Sequence, residues 1–304
     1  MVAHRYIVAV LGLAAACLPS APAHAAELVL SPSSEWTLKE YDDKCRMIRT
    51  FGEGEDAVTL WLDQGSPTPT FNVTLLGKPL RNPYGPNISV RFTPEPEYSR
   101  NYLYSESSKG RPVVTLFGVL LTPNAAERAL LGLPPETQPA ASPSAPRSDP
   151  GALTTTRAAG ITDIQIGRAL ARPLRLASGA LDAPLAQLQA CAERLERQIG
   201  VNSALAATPP RPVNQSAWVA RVQQGYPLYL AKAGEEAVLD IRLTIATSGK
   251  PSFCEVQSVE GLTSFNDTAC LLLLRYATFE PARNTAGEPL VARYRTRMTF
   301  KLPD

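Results

Sequence analysis

Between Trp36 and Leu121 apolar residues alternate with polar ones in short runs, the period-two pattern of half-buried strands. Trp36, Leu38 and the stretch Tyr41 to Cys45 open the series, and Ala57 to Leu62 follows as a short apolar strand. Phe71, Val73 and Leu75 alternate up to a Leu76-Gly77-Lys78 turn, and Ile88 to Phe92 and Val113 to Leu121 complete it. Glycine, proline and asparagine punctuate these runs, which predicts a sandwich or half-barrel. Ile161 to Ile166 reads as one more strand. After it the period changes: Leu185, Leu188, Cys191, Leu195 and Ile199 fall three and four apart, one apolar face of a helix. Asp182 ahead of Pro184 is the expected N-cap, and Gly200 the expected stop.

Two proline-rich stretches interrupt the pattern. Residues 133–151 hold six prolines among Ala and Ser, a composition that buries no core and predicts an extended loop within the first domain. Residues 206–214, with Pro209, Pro210 and Pro212, predict a short stiff linker. The expected organisation is a signal segment 1–25, a mostly-β N-terminal domain 26–205 with one amphipathic helix, the linker, and a small C-terminal domain 215–304. The fold class is therefore α+β. Asn72-Val73-Thr74 and Asn87-Ile88-Ser89 match the glycosylation pattern, but the asparagines read as plain turn residues.

The first 25 residues have the three parts of an export signal: Arg5, the apolar run Ile7 to Leu18, and Ala23-His24-Ala25 as a cleavage site. Cys17 offers the alternative of a lipid anchor, although Ala14 stands three residues before it where an aliphatic residue is usual. The expected location is the periplasm. Without Arg5 the 30 basic side chains fall to 29 against 28 acidic ones, and a net charge of +1 argues against a nucleic-acid partner. Both histidines, His4 and His24, leave with the signal. A mature chain without histidine has no Ser-His-Asp or Cys-His nucleophile, no histidine general base and no His-containing zinc site, so catalysis would have to come from carboxylates, lysines or an unassisted cysteine. The expectation is no catalytic residue, metal or cofactor. Cys45, Cys191, Cys254 and Cys270 remain, and four cysteines allow three pairings. The local pairing, Cys45 with Cys191 and Cys254 with Cys270, is preferred over four free thiols. A four-cysteine metal site lacks the C-x-x-C spacing it needs.

The densest signal lies at the carboxyl end. Tyr226-Pro227 precedes a short helix, and Leu239, Ile241, Leu243 and Ile245 alternate in a strand closed by Ser248-Gly249-Lys250. Cys254 and Val256 mark a second strand, and a leucine-rich helix runs from Ala269 to Tyr276, with its start near Ser264 to Asn266. Phe279-Glu280-Pro281-Ala282, a Gly287 turn and a long strand to Phe300 complete the series. This order of motifs over about eighty residues resembles the C-terminal domain of TonB, which reaches across the bacterial periplasm to outer-membrane transporters. Glu236, where relatives carry glycine, and Ser258-Val259-Glu260 depart from the pattern.

The resemblance implies a three-stranded antiparallel sheet packed on helices, whose last strand accepts an extended peptide of an outer-membrane receptor, or of another envelope protein, by β-augmentation. The implied binding residues are Tyr226, Pro227, Arg293, Tyr294, Arg295, Thr296, Arg297 and Met298. The basic row has a second reading, protection of an edge strand from aggregation. A transducer of this family keeps a membrane anchor and a long proline-rich spacer, and this sequence is expected to have neither. Two further readings stay open. One is a structural envelope protein that binds peptidoglycan through its N-terminal domain. The other is a retropepsin-like aspartic protease, since Leu62-Asp63-Gln64-Gly65-Ser66 resembles the Asp-Thr-Gly-Ser turn, with Asp63 as its carboxylate.

Overall fold

The computed structural model describes residues 26–136 and 156–302. The expected signal segment 1–25, with Cys17 and both histidines, and the proline-rich stretch from 137 onward lie outside the described residues. The first domain is built on two sheets. Strands β2 (Thr37–Glu40), β3 (Cys45–Phe51), β4 (Val58–Gln64), β5 (Phe71–Leu76), β9 (Pro112–Val119) and β8 (Leu103–Glu106) form a six-stranded sheet in that order. The second sheet runs β1 (Leu28–Leu30), β11 (Leu174–Leu176), β10 (Asp163–Gly167), β6 (Ile88–Thr93), β7 (Tyr98–Arg100). Met47, Leu62 and Val73 from one sheet and Ile88, Phe92 and Ile164 from the other bury their side chains in one core.

A short helix α1 (Ala125–Leu130) follows β9, and a longer one, α2 (Asp182–Leu205), lays the predicted stripe Leu185, Leu188, Cys191, Leu195 and Ile199 into the same core. Cys191 meets Cys45 there in a disulfide with a Cα–Cα distance of 6.0 Å. The helix does not stop at Gly200 but runs on to Leu205. A glycine ends a helix when the chain needs a left-handed residue there. Gly200 keeps a helical conformation, so it costs only about 1 kcal/mol relative to alanine.

In the second domain β14 (Ala237–Ile245) lies between β15 (Pro251–Glu260) and β19 (Ala292–Phe300), all antiparallel. The helices are α3 (Gln215–Gln224), α4 (Leu228–Ala233) and α5 (Ser264–Tyr276). Leu239, Ile241, Leu243 and Val256 turn one sheet face into a core shared with Phe265, Ala269 and Leu273 of α5. The Cys254–Cys270 disulfide, Cα–Cα 5.6 Å, fastens that helix to β15. The β14–β15 turn needs its glycine: Gly249 has φ of +79°, and a Cβ there would meet the Phe279 carbonyl oxygen at 2.1 Å. That region also takes up the expected linker. Ala206–Thr208 (β12) pairs with Ala282–Asn284 (β17), and Arg211–Val213 (β13) pairs with Thr278–Glu280 (β16). The remaining short strand, Pro289–Leu290 (β18), pairs with β17.

The architecture is α+β, as the alternation predicts. The domains are also joined by a face that the alternation assigned to solvent. Along β9, Val114 and Leu116 enter the first core, whereas Phe117, on the opposite face, enters the second.

Candidate functional site: a free strand margin and a polar domain seam

A three-stranded sheet has two margins, and each exposes backbone groups that need partners. On the β15 side the first domain supplies them. Asn72 Nδ2 donates to the Cys254 carbonyl at 3.1 Å, and Thr70 Oγ1 donates to the Val256 carbonyl at 2.9 Å. Asn72 is thus a buried residue of β5, not a turn residue, and its Oδ1 accepts the Gly118 N–H at 2.9 Å. On the β19 side no described strand pairs beyond β14. Its only described cover by a polar side chain is at the far end, where Gln223 Nε2 donates to the Thr299 carbonyl at 2.8 Å.

The residues expected to bind a partner divide into three groups. Arg295 and Arg297 stand exposed on β19, and Arg297 holds Asp240 of β14 through two hydrogen bonds of 2.8 and 3.0 Å. Thr296 is half-buried. Met298 is buried in the domain core, and Tyr294 lies against Phe279 with ring centroids 4.8 Å apart. Arg293 turns toward the first domain. Its guanidinium donates to the Gly65 carbonyl at 2.5 Å and to Thr244 Oγ1, and lies 3.6 Å from Glu196 of α2. Burial pulls the Arg293 pKa below its ordinary value, against the pull of Glu255 and Glu196. Tyr226 stacks edge-on against Phe265 and Phe300, with its hydroxyl on the Glu235 carbonyl. It sets the position of the end of β19 from below. Pro227 caps the start of α4.

The seam between the domains is built from polar side chains. Glu255, on the β15 face opposite Cys254, receives the Gly65 N–H at 3.1 Å, the Ser66 N–H at 3.0 Å and the Ser66 hydroxyl. The turn that resembles the protease motif is therefore the docking loop of the first domain. Its Asp63 is held by two hydrogen bonds of 2.6 Å from Arg46, whose guanidinium stacks on Trp61 at 3.8 Å. Arg242 of β14 reaches Glu196 at 3.0 Å.

At the other end of the seam, Arg100 and Asp267 form an ion pair 3.2 Å apart, with side chains 0% and 3% exposed. The Phe117 N–H donates to the second Asp267 oxygen at 2.6 Å, and Arg100 also donates to the Phe117 and Gly118 carbonyls. Burial pushes the Asp267 carboxyl up to about 6, and Arg100 and the Phe117 N–H oppose that rise. Glu127 of α1 is a second buried carboxylate. It caps its own helix with Asn124 and accepts the Thr263 N–H at 3.2 Å and the Thr263 hydroxyl at the start of α5. A carboxylate at a helix N-terminus faces the positive end of the helix dipole. Ser264 and Asn266, the expected caps, instead reach the Ser99 and Gly118 carbonyls of the first domain at 3.4 and 3.3 Å.

Sequence reasoning overlooked Asn72, Arg100, Glu127, Glu255 and Asp267. Asn72 and Glu255 gave only the signal of a polar residue alternating with apolar ones, which a solvent-facing position explains equally well, and Arg100 and Asp267 stand among polar neighbours with no signal at all. Among the described residues no helix is long and apolar enough to cross a membrane, and no cluster of His, Cys, Asp and Glu could hold a metal ion. No curated protein and no solved structure gives a significant match to the chain. Residues 222–302 match the family described as Gram-negative bacterial TonB protein C-terminal. This span takes in α4, all three strands of the sheet and α5, so residues 222–302 of this protein form a domain of the TonB C-terminal family.

Proposed function

We propose that this is a periplasmic protein of envelope transport, exported by its first 25 residues, that binds an extended segment of an outer-membrane transporter by adding it to β19. The observation that carries the reading is the unequal state of the two sheet margins. The β15 carbonyls are taken up by Thr70 and Asn72 of the same chain, and β19 has no strand beyond it among the described residues. A strand added there gains main-chain hydrogen bonds, and side chains flanking it add selectivity. Arg295 and Arg297 favour acidic residues in the incoming segment, with an attraction that weakens as salt screens it. Gln223, on the Thr299 carbonyl, sets where that segment ends or must be displaced by it.

Amide-exchange measurements on the mature protein, with and without a transporter-derived peptide, test this reading. Protection is expected at the outward-facing amides between Arg293 and Thr299, and Arg295→Pro, which removes a backbone donor from the free margin of β19, should abolish it. Protection confined to the first domain, or binding that survives Arg295→Pro unchanged, would overturn it. Intact-mass measurement of the exported chain checks the export step, with an N-terminus at Ala26 expected.

A further inference from the structure

We propose, on the reading of β19 as a strand acceptor, that one carboxylate side chain selects the incoming segment: it lies beside Arg295, and apolar residues flank it on either side. The backbone phase of β19 sets this position. Gln223 reaches the Thr299 carbonyl from outside the sheet, so that carbonyl points away from β14. Hydrogen bonding alternates along an antiparallel pair, and β14 and β19 pair without a register shift. The backbone groups of Arg293, Arg295 and Arg297 therefore face the free margin with Thr299, and those of Tyr294, Thr296 and Met298 face β14. With Thr299 taken by Gln223, Arg295 is the middle residue of the free stretch.

The three arginines share one sheet face and differ in what β14 offers across from them. Arg297 lies opposite Asp240 and holds it through hydrogen bonds of 2.8 and 3.0 Å. Arg293 lies opposite Thr244, donates to its hydroxyl, and also reaches the Gly65 carbonyl. Arg295 lies opposite Arg242, a second guanidinium. Arg242 is itself committed to both carboxylate oxygens of Glu196, each at 3.0 Å. Among the described residues the exposed Arg295 side chain makes neither a hydrogen bond nor an ion pair. Like charges directly opposite on neighbouring strands repel. Since β14 supplies no acceptor here, the counter-charge has to come from the other side, on the strand that adds to β19.

A residue of the added strand that lies beside Arg295 projects its side chain to the same sheet face, whichever way the segment runs. A Glu or Asp there meets a guanidinium with no competing acceptor. Its two neighbours in the segment project to the opposite face, beside Tyr294 and Thr296, both half-buried. The Tyr294 ring lies 4.8 Å from that of Phe279, and Phe279 lies 6.4 Å from Trp218. β-Branched or aromatic side chains extend that row, because such pairs interact favourably across strands. Arg293 and Arg297 already have acceptors, so the positions beside them tolerate neutral polar residues. Arg295 is thus the specificity-determining residue of the margin, and the segment it fits carries a central acid between apolar neighbours.

The test titrates the mature protein with acetyl-Ser-Val-Ser-Val-X-Val-Ser-Val-Ser-amide, where X is Glu, Gln or Lys. It reads affinity, amide exchange along β19 and the Arg295 Nε–H resonance. At low salt the Glu peptide is expected to bind about threefold more tightly than the Gln peptide, the ratio that one exposed ion pair supports, and the Lys peptide more weakly than either. The Glu peptide should move the Arg295 Nε–H resonance downfield, and its advantage should shrink as salt is added. Arg295→Gln is expected to bring the Glu and Gln affinities together, and Arg295→Lys, which keeps the charge, to hold part of the ratio. Equal affinities for the Glu and Gln peptides on the unaltered protein, with β19 amides protected by both, would overturn selection by Arg295 and leave strand addition standing. A preference for Glu that survives Arg295→Gln would overturn it as well. No protection of β19 by any of the three peptides would overturn strand addition itself, and the selection with it.

Discussion

Asn72 and Cys254 lie far apart in the sequence, and the Asn72 side-chain amide donates to the Cys254 carbonyl across the boundary between the two domains at 3.1 Å. The same side chain accepts the Gly118 N–H, so one residue satisfies the margin of one sheet and a buried donor of another. Replacing Asn72 with alanine leaves both groups buried and unpaired. Urea denaturation is expected to report a loss of about 2–4 kcal/mol, and amide exchange should quicken at Gly118. A loss under about 0.5 kcal/mol would mean that the seam is solvated in solution.

The buried pair Arg100–Asp267 should behave unlike a surface ion pair. Arg100→Met alone strands a carboxylate in a dry seam and is expected to cost about 3–5 kcal/mol. The double replacement Arg100→Met with Asp267→Leu removes both charges and should recover much of that loss, which a double-mutant cycle would measure.

Asp267 also sets a pH dependence. Its carboxyl sits at about 6 in the folded protein, above the ordinary value of 3.8 that it regains on unfolding. Between these values the folded state binds the extra proton, so this residue's contribution to stability is complete below about pH 4 and is lost as pH rises through 6. Comparing the unfolding free energy of the parent and Asp267→Asn between pH 4 and 7 isolates the effect. The difference should change in that window, with the parent relatively more stable at the acid end; a constant difference would contradict the assignment.

The two disulfides should differ in weight. In the chain-entropy treatment the Cys45–Cys191 bridge, closing a separation of 146 residues, contributes about 5 kcal/mol, and Cys254–Cys270, closing 16, about 3 kcal/mol. Paired serine variants, compared by thermal unfolding, are expected to rank in that order. Loss of the first should also loosen α2 from the core, visible as faster exchange around Leu188 and Leu195.

Glu196 carries the contact between α2 and the polar face of the second sheet, where it meets both Arg242 and Arg293. Glu196→Gln removes the carboxylate that Arg242 and Arg293 share, leaving Glu255 as the main attraction on Arg293. Stability is expected to fall by about 1–3 kcal/mol, and less at high salt, where repulsion between the arginines is screened.

The sequence by itself determined the longer elements and their kind. Alternation marks β5, β6 and β14, apolar runs mark β4 and β9, three-four spacing marks α2, and the ordered motifs from Tyr226 to Phe300 mark the TonB-like domain. The short elements β1, β7, β8, β11 and α1 left no such signal, and Tyr41 to Cys45, read as strand, is largely the turn between β2 and β3. The longer elements are legible because a strand or helix with one buried face repeats its apolar residues at its own backbone period. Even the disulfide partners followed from locality. What the tertiary structure alone decided is the use of the other faces. Asn72, Glu255 and Arg293 sit where alternation places solvent, and they reach their partners in the other domain, the Cys254 carbonyl, the Gly65–Ser66 loop and Glu196, only once two separate sheets dock. A polar residue facing water and one facing a buried polar partner have the same place in a sequence pattern. They differ in what lies across from them, which is fixed by distant segments of chain and by the requirement that every buried donor and acceptor find a mate.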